Sequence, residues 1–447
     1  MDEKFLAGKL LLRQEIPLTT QQLEQLIDSK KIVTIEAITQ TLFRYRCNRC
    51  MTTKRHHFAS IPCKRCMHEH VYCRNCIRTG RVLACETLYY WKREAISWPE
   101  QLHPCEWTGS LTKHQQHAAE VINCTLQAKK KELICWAVCG AGKTEMLFPA
   151  ITTVLQQGMR ICLATPRADV VRELAPRFRQ AFPHTEIEAL YGGTEERTGI
   201  AQLVLATTHQ LIRYKHAFDC IIIDEIDSFP YHKDDSLHQL AKRAMKDEAS
   251  AIYLTATPRP KEKRRIQTKE LPVVFVPIRF HGFPLPVPEL ILDRKLHKNL
   301  QKSKAPQSFE HYLETRYRRF LLFVSTIDQL PKVKKMISTF NITSETVHAE
   351  DPKRKELVDQ FRENKFDCLI TTTILERGVT FPSIDVIVFD AGHQVFDEAA
   401  LVQIAGRAGR SPDDPNGHVL FFHQGKTNAM VQAIEQITTM NKKGREL

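Results

Sequence analysis

The sequence predicts an α/β protein: two parallel-sheet domains behind a small, cysteine-rich, metal-folded unit. Three observations predict it. Three Cys-x-x-Cys pairs crowd the first eighty residues. Short β-branched runs then alternate with helical patterns of about twelve residues, the texture of a parallel sheet. That alternation breaks at a proline-rich stretch and starts again, so it belongs to two sheets. The 447 residues, 43% hydrophobic and 26% charged, hold material for about three domains and exclude wholesale disorder.

Charge points to a partner. Lys and Arg number 64 against 51 Asp and Glu, a formal excess of +13. Between Thr41 and Arg93 stand twelve basic residues and two acids, Glu69 and Glu86, so most of the excess sits there. Such a segment suits nucleic acid or an anionic membrane surface. No run approaches the roughly 18 apolar residues of a membrane span. Met1–Lys9 is charged and unlike a secretory signal. The expected compartment is the cytoplasm, where fourteen cysteines are better explained by metal than by disulfides.

Residues 1–40 form an N-terminal region with one amphipathic stretch, Leu18–Ile27. Residues 41–105 are expected to form a basic zinc-binding domain. Its pairs are Cys47/Cys50, Cys63/Cys66 and Cys73/Cys76. In each, one tight turn aims two thiolates at one ion, and two pairs make a closed tetrahedral zinc site. A simple ribbon joins the first pair to the second; a cross-brace joins the first to the third. Spacing leaves both open. A second ion would recruit Cys85, Cys105, or one of His56, His57, His68 and His70. So small a unit buries little core, and metal binding supplies its folding energy. Arg44, Tyr45, Arg46, Arg49, Lys64, Arg65, Tyr72 and Arg74 lie among the pairs, a mix suited to phosphates and stacked bases.

The first α/β block is placed at 106–275. A strand over Leu133–Val138 runs into Ala137-Val138-Cys139-Gly140-Ala141-Gly142-Lys143-Thr144, and a helix follows over Glu145–Gln157. Strand, glycine loop and helix in that order make a P-loop, with Ala137 in place of the first glycine. Gly140 and Gly142 let backbone N–H groups close around a β-phosphate. Lys143 reaches the β and γ oxygens, and the Thr144 hydroxyl suits Mg²⁺. The buried strand ending at Ile223 delivers Asp224-Glu225-Ile226-Asp227 to the edge where open α/β sheets bind ligands. Asp224 is expected on Mg²⁺, Glu225 as the base for an attacking water, and Asp227 as a coupling to the partner domain. Thr165-Pro166-Arg167, Gly192-Gly193, Thr207-Thr208 and Thr255-Ala256-Thr257 each follow an expected strand.

Five prolines between Pro272 and Pro288 read as a linker, and the second block is placed at 276–447. Its expected strands include Arg319–Ser325, Thr346–Ala349, Asp367–Thr373 and Asp385–Asp390. A helix is expected through Gln403-Ile404-Ala405-Gly406-Arg407-Ala408-Gly409-Arg410, with both arginines on one face. They would point across a cleft at a γ-phosphate and stabilise charge on the transferring phosphoryl group.

With every core motif in order, the chain from about Trp107 resembles the superfamily 2 helicases. The resemblance implies two RecA-like domains that sandwich ATP and grip one nucleic-acid strand. It implies that Gln115 reads the adenine and that Gln403, Arg407 and Arg410 face the nucleotide. It implies backbone contacts to the strand from Thr165, Pro166, Arg167, Gly192, Gly193, Thr207, Thr208, Arg377 and Gly378. Thr255-Ala256-Thr257 stands where DEAD-box RNA helicases carry Ser-Ala-Thr, and Gln403 where they carry His. The cysteine-rich segment before the motor, with Tyr72-Cys73-Arg74-Asn75-Cys76, and the Gly-Ala-Gly-Lys-Thr-Glu loop make the chain similar to the ComFA family of late-competence DNA helicases. That resemblance implies an ATP-driven motor on single-stranded DNA, zinc in the N-terminal unit, other competence proteins as partners, and a place at the inner membrane face. Two alternatives stand beside it: a PriA-like replication-restart or repair helicase, and a zinc scaffold carrying a nucleotide switch.

Overall fold

The computed structural model describes residues 5–92, 97–194, 199–377 and 381–446. The N-terminal body is built from short antiparallel pieces. They are β1 (Leu10–Leu12), β2 (Ile32–Glu36), β3 (Ile38–Gln40), β4 (Tyr45–Cys47), β5 (Phe58–Pro62), β6 (Glu69–Cys73), β7 (Val82–Leu83) and β8 (Thr87–Trp91). β8 lies between β1 and β2, β3 pairs with β4, and β5-β6-β7 form a meander. The amphipathic stretch forms a helix over Thr20–Asp28, capped by Thr19. Its Leu23 packs with Leu6, Leu11, Ile16, Ile32 and Trp91. Residues before position 40 and after position 80 therefore share one sheet and one small core.

The first parallel sheet contains β9 (Glu132–Ala137), β10 (Ile161–Thr165), β11 (Ile187–Leu190), β12 (Leu203–Thr207), β13 (Phe218–Ile223), β14 (Met245–Thr255) and β15 (Val273–Val276). Their spatial order is β11-β12-β10-β13-β14-β9-β15. All neighbours run parallel, so every carboxyl end lies on one edge. β10 and β12 are buried at every residue, as helices on both faces require. The expected linker supplies a strand of this sheet. Val273-Val274-Phe275-Val276 is a β-branched and aromatic run that pairs with β9 before Pro277 ends it.

The second sheet contains β16 (Glu289–Leu292), β17 (Arg319–Phe323), β18 (Ser344–Val347), β19 (Cys368–Thr371), β20 (Ile384–Val388) and β21 (Val419–His423), in the order β16-β21-β20-β17-β19-β18. It too is parallel throughout. The strand expected at Thr346–Ala349 begins earlier and stops at Val347, before the turn at Ala349. The helix expected to run through Arg410 spans Glu398–Ala405. Gly409 has φ +61, and a Cβ there would lie 2.1 Å from the Pro415 carbonyl oxygen. A left-handed residue pressed on neighbouring backbone cannot continue a helix. Arg407 and Arg410 therefore leave from a turn, not from one helical face.

Candidate functional site

The phosphate-loop sequence closes tightly on itself. Gly142 has φ +67, and a Cβ there would lie 2.4 Å from Gln115 Nε2. Gln115 sits in the first turn of the helix Lys113–Gln127, where its Oε1 accepts from Thr112 N at 2.8 Å. Its Nε2 donates to the Ala141 and Gly142 carbonyls at 2.9 and 3.4 Å. Gln115 thus braces the loop from behind. Lys143 Nζ lies 3.8 Å from Asp224 Oδ1. Burial pulls the Lys143 ammonium down, but Asp224 and Glu225 outweigh it and its pKa is raised. Burial pushes Asp224 up to about 6 against the opposing pull of Lys143. A half-buried carboxyl that pays to ionise, in one cavity with Thr144, is a donor set that fits a hard divalent cation. Glu225 holds φ +53, a strained backbone for a residue with a Cβ, of the kind stored at working sites.

The second domain closes the other side. Cys139, Gly140, Ala141, Gly142, Lys143 and Thr144 share one cavity with Asp224, Glu225, Gln403, Arg407 and Arg410. Ala137 and Val138 lie beneath it, fully buried. Cys139 Sγ donates to Gln403 Oε1 at 3.1 Å across the cleft. Arg407 is buried, and its Nε and Nη2 donate to the Glu376 carbonyl at 2.9 and 2.6 Å. Arg410 Nε donates to the Gly406 carbonyl at 2.9 Å.

Asp227 joins three motifs. It accepts from Thr255 Oγ1 at 2.6 Å, from Thr257 Oγ1, and from Arg377 of the second domain. Burial alone would raise this carboxyl. Arg377 and the two hydroxyls overcome that and hold it well below the usual carboxylate range. Arg377, 2% exposed, also faces Glu225 at 3.8 Å. The side chain that the family pattern assigns to the nucleic-acid strand is here turned inward, onto the carboxylates of the cleft. Gly378 lies outside the described residues.

The other expected strand-gripping segments come together. Thr165, Thr207 and Gly192 end or follow β10, β12 and β11, three adjacent strands, on the same sheet edge as the nucleotide cleft. Gly192 and Gly193 are exposed with open space around them. Thr165, Pro166, Thr207 and Thr208 are buried, and the Thr165 and Thr208 hydroxyls have no hydrogen-bond partner among the described residues. Arg167 is held in a fork by Asp169, at 3.1 and 2.6 Å.

The six paired cysteines divide into two clusters. Cys47, Cys50, Cys73 and Cys76 converge, all buried, with every sulphur within 4.8 Å of the others. Cys47 Sγ lies 3.7 Å from Cys76 Sγ, and Cys50 Sγ lies 3.5 Å from Cys73 Sγ. A tetrahedral zinc with Zn–S bonds of about 2.3 Å needs sulphur–sulphur edges of about 3.8 Å, so the four fit it. The first pair joins the third, as in a cross-brace. Cys63 and Cys66 stand apart and meet Cys85 instead. Cys105, His56, His57 and His68 join neither group.

Sequence reasoning missed the buried and half-buried arginines that fasten these parts together. Arg243, which follows Lys242 near the end of the helix Asp235–Ala244, donates to the Asn48 and Arg49 carbonyls at 3.3 and 2.5 Å. It also donates to the Ile212 and Tyr214 carbonyls at 2.7 and 3.1 Å. Arg49 pairs with Glu15, which also receives Arg213 at 3.0 Å. Arg160 donates to the Ala7 and Ala201 carbonyls at 3.2 and 3.0 Å. Arg279, in the connection just beyond β15, donates to the Ala408 carbonyl at 2.9 Å and fastens that connection to the turn that carries Arg407 and Arg410. Nothing in composition separates these from surface arginines.

Fold and cleft together define a two-domain helicase-type P-loop enzyme that is ATP-dependent. Family models agree by segment: competence protein ComFA N-terminal domain over residues 2–90, type III restriction enzyme res subunit over 108–260, and helicase conserved C-terminal domain over 304–412. Competence protein ComFA of Bacillus subtilis (strain 168) is 42% identical over 443 residues, covering 98% of this chain and 95% of that protein. ComFA of Streptococcus pneumoniae R6 is 39% identical over 382 residues, covering 83% of this chain and 86% of that protein. The structure of S. cerevisiae Dbp5 bound to RNA and ADP BeF3 matches with a TM-score of 0.53 at 17% identity, covering 75% of this chain and 88% of that one. The chain belongs to the ComFA family of competence proteins. Among the described residues no helix is long and apolar enough to cross a membrane.

Proposed function

We propose that this protein is a DNA-stimulated ATPase that steps along single-stranded DNA and drives uptake of transforming DNA during natural competence. The observation that carries the reading is the cleft itself. Lys143, Asp224 and Glu225 of one domain (106–275) face Gln403, Arg407 and Arg410 of the other (276–447) across a single cavity.

The chemistry follows from the residues. The Gly140–Thr144 backbone and Lys143 cradle the β- and γ-phosphates of ATP. Thr144 and Asp224 would hold Mg²⁺, which neutralises developing charge when bound. Glu225 orients and deprotonates the attacking water. Arg407 and Arg410 stabilise charge on the transferring phosphoryl group. Arg407 must first leave the Glu376 carbonyl, so nucleotide binding and the turn at Glu376-Arg377 are coupled. Arg377 on Asp227 and Glu225 then links hydrolysis to the edge that carries Thr165-Pro166-Arg167, Gly192-Gly193 and Thr207-Thr208, where the DNA backbone would lie. Closing and opening move the two domains along one strand, and DNA speeds hydrolysis by favouring the closed state. Gln115 acts as loop brace and adenine reader in turn. Cys47, Cys50, Cys73 and Cys76 would hold a structural zinc. The place of action is the cytoplasmic membrane face, with other competence proteins as partners.

ATPase rate against single-stranded DNA, duplex DNA and RNA tests this. Single-stranded DNA should raise the rate most. Lys143→Ala and Glu225→Gln should abolish turnover while DNA binding persists. Normal hydrolysis by Lys143→Ala would overturn the mechanism. A preference for forks would favour a restart helicase, and an ATPase indifferent to DNA would favour a scaffold.

A further inference from the structure

The second cysteine cluster repeats the geometry of the first. In the first knuckle Met51 N donates to the Cys47 carbonyl at 2.8 Å, Cys47 N donates to the Thr52 carbonyl at 3.1 Å, and Met51 has φ 64. In the second, Met67 N donates to the Cys63 carbonyl at 2.9 Å, Cys63 N donates to the His68 carbonyl at 2.9 Å, and Met67 has φ 59. Each bond joins residues at the same offset, and the left-handed residue falls directly after the second cysteine in both. A turn that strains a methionine twice, in the same place, is built to aim two sulphurs at one point.

Two more donors meet that aim. Cys85, in the turn between β7 and β8, brings its Sγ to 3.7 Å from Cys63 Sγ. The sulphurs of Cys63, Cys66 and Cys85 all lie within 4.8 Å of one another. His70 on β6, paired in register with Ile61 of β5, brings Nε2 to 3.0 Å from Cys66 Sγ. The Cys63–Cys85 separation already matches the edge of a tetrahedral zinc site. The His70–Cys66 edge needs about 3.5 Å for bonds of about 2.3 and 2.0 Å, an opening of about half an ångström. His70 stands outside the group of three sulphurs that all lie within 4.8 Å of one another, so its ring must also swing inward toward Cys63 and Cys85 as the ion binds.

We propose that Cys63, Cys66, His70 and Cys85 form a second metal centre of zinc type, with three thiolates and one imidazole. Binding replaces the thiol protons by the ion, leaves a net charge of −1 at the site, and ties the β5–β6 hairpin to the β7–β8 turn. With the first cluster, the ligands then alternate along the chain as a cross-brace. This centre is independent of the motor and does not rest on the ATPase reading.

The test is metal content. Full-length protein, zinc-loaded under reductant and dialysed against metal-free buffer, should retain about two zinc ions per chain. A Cys63→Ser/Cys85→Ser double variant should retain about one, and that remaining ion reports that the first cluster is still folded. Cobalt in place of zinc separates the ligand sets. The native protein should show superposed four-sulphur and three-sulphur–one-nitrogen spectra, the double variant the four-sulphur spectrum alone. His70→Cys should keep two metals and turn the three-sulphur–one-nitrogen spectrum into the four-sulphur form. One zinc per native chain, or a double variant that keeps the native count, overturns the proposal. So does a cobalt spectrum unaltered by His70→Cys.

Discussion

The two Cys-x-x-Cys knuckles share a backbone and differ in everything around it. The knuckle Cys47–Cys50 is buried, and its cysteines belong to one continuous apolar cluster with Leu211, Ile212, Tyr214 and Phe218 of the first motor domain. Its backbone carbonyls are clamped by Arg243. The knuckle Cys63–Cys66 stands on the far hairpin beside an exposed Cys85, with Met67 84% exposed at its tip. It lines a cavity with Arg13, Lys64, Arg65 and Arg81. The same local sequence device thus serves two ends. One fastens the module to the motor, and the other holds a basic surface outward. Local sequence sets the turn; the neighbours set what the turn is for.

The comparison breaks most violently at the first knuckle. Cys50→Ala removes one of the four buried thiols proposed to hold zinc, and three thiols cannot close such a site. Metal binding to small structural zinc sites is worth on the order of 10 kcal/mol and is folding energy. Because these sulphurs are continuous with motor core, the loss should spread: the metal of the first cluster disappears, and the N-terminal body becomes protease-sensitive. Metal analysis and limited proteolysis check it. A variant that kept both metal and protection would refute the fastening role.

Arg243→Ala probes the fastening without touching a ligand. The side chain is half-buried, and desolvation with Arg49 nearby lowers its pKa to about 10, so it remains charged at neutral pH. Its loss orphans carbonyls at Asn48 and Arg49 on one side and Ile212 and Tyr214 on the other. Hydrogen bonds from a charged donor contribute roughly 1.5–3 kcal/mol each, and the site relaxes only in part. A local loss of about 2–4 kcal/mol follows. Amide exchange should rise at Asn48–Thr52 while metal content stays constant and the Cys63–His68 segment is unaffected. Equal acceleration at both knuckles would mean that Arg243 supports the fold generally rather than the junction.

These two cases also show what the sequence could and could not disclose. The P-loop, the carboxylates after β13 and the parallel texture were legible because each is fixed by a few consecutive residues. The division of six cysteines was not, since Cys73 is chosen over Cys63 by how β4 and β6 lie in space, and Cys85 carries no paired spacing. Arg407 and Arg410 resembled a helical pair until Gly409 turned left-handed. β15 was hidden by the prolines around it, although Val273–Val276 carried a strand signal. The buried arginines were invisible because their partners are backbone carbonyls far along the chain. Site chemistry is local in sequence, whereas the coupling between sites is not.

The smallest effect sharpens the comparison furthest. Met51 and Met67 hold the same left-handed backbone, which costs a residue with a Cβ roughly 1–2 kcal/mol and costs glycine almost nothing. Met67 is exposed, so Met67→Gly gives up little packing. The gain is reduced by the extra freedom of glycine in the open state, leaving about 0.5–1 kcal/mol in favour of the closed knuckle. Met51 is half-buried, and Met51→Gly sacrifices contact worth a comparable amount, for a net change near zero or slightly unfavourable. The readout is amide exchange at the residue itself, since Met51 N and Met67 N each close their knuckle through the first cysteine's carbonyl. Protection should rise several-fold at position 67 and stay level or fall at position 51. Equal gains at both would show that the two turns differ less in their surroundings than their burial implies.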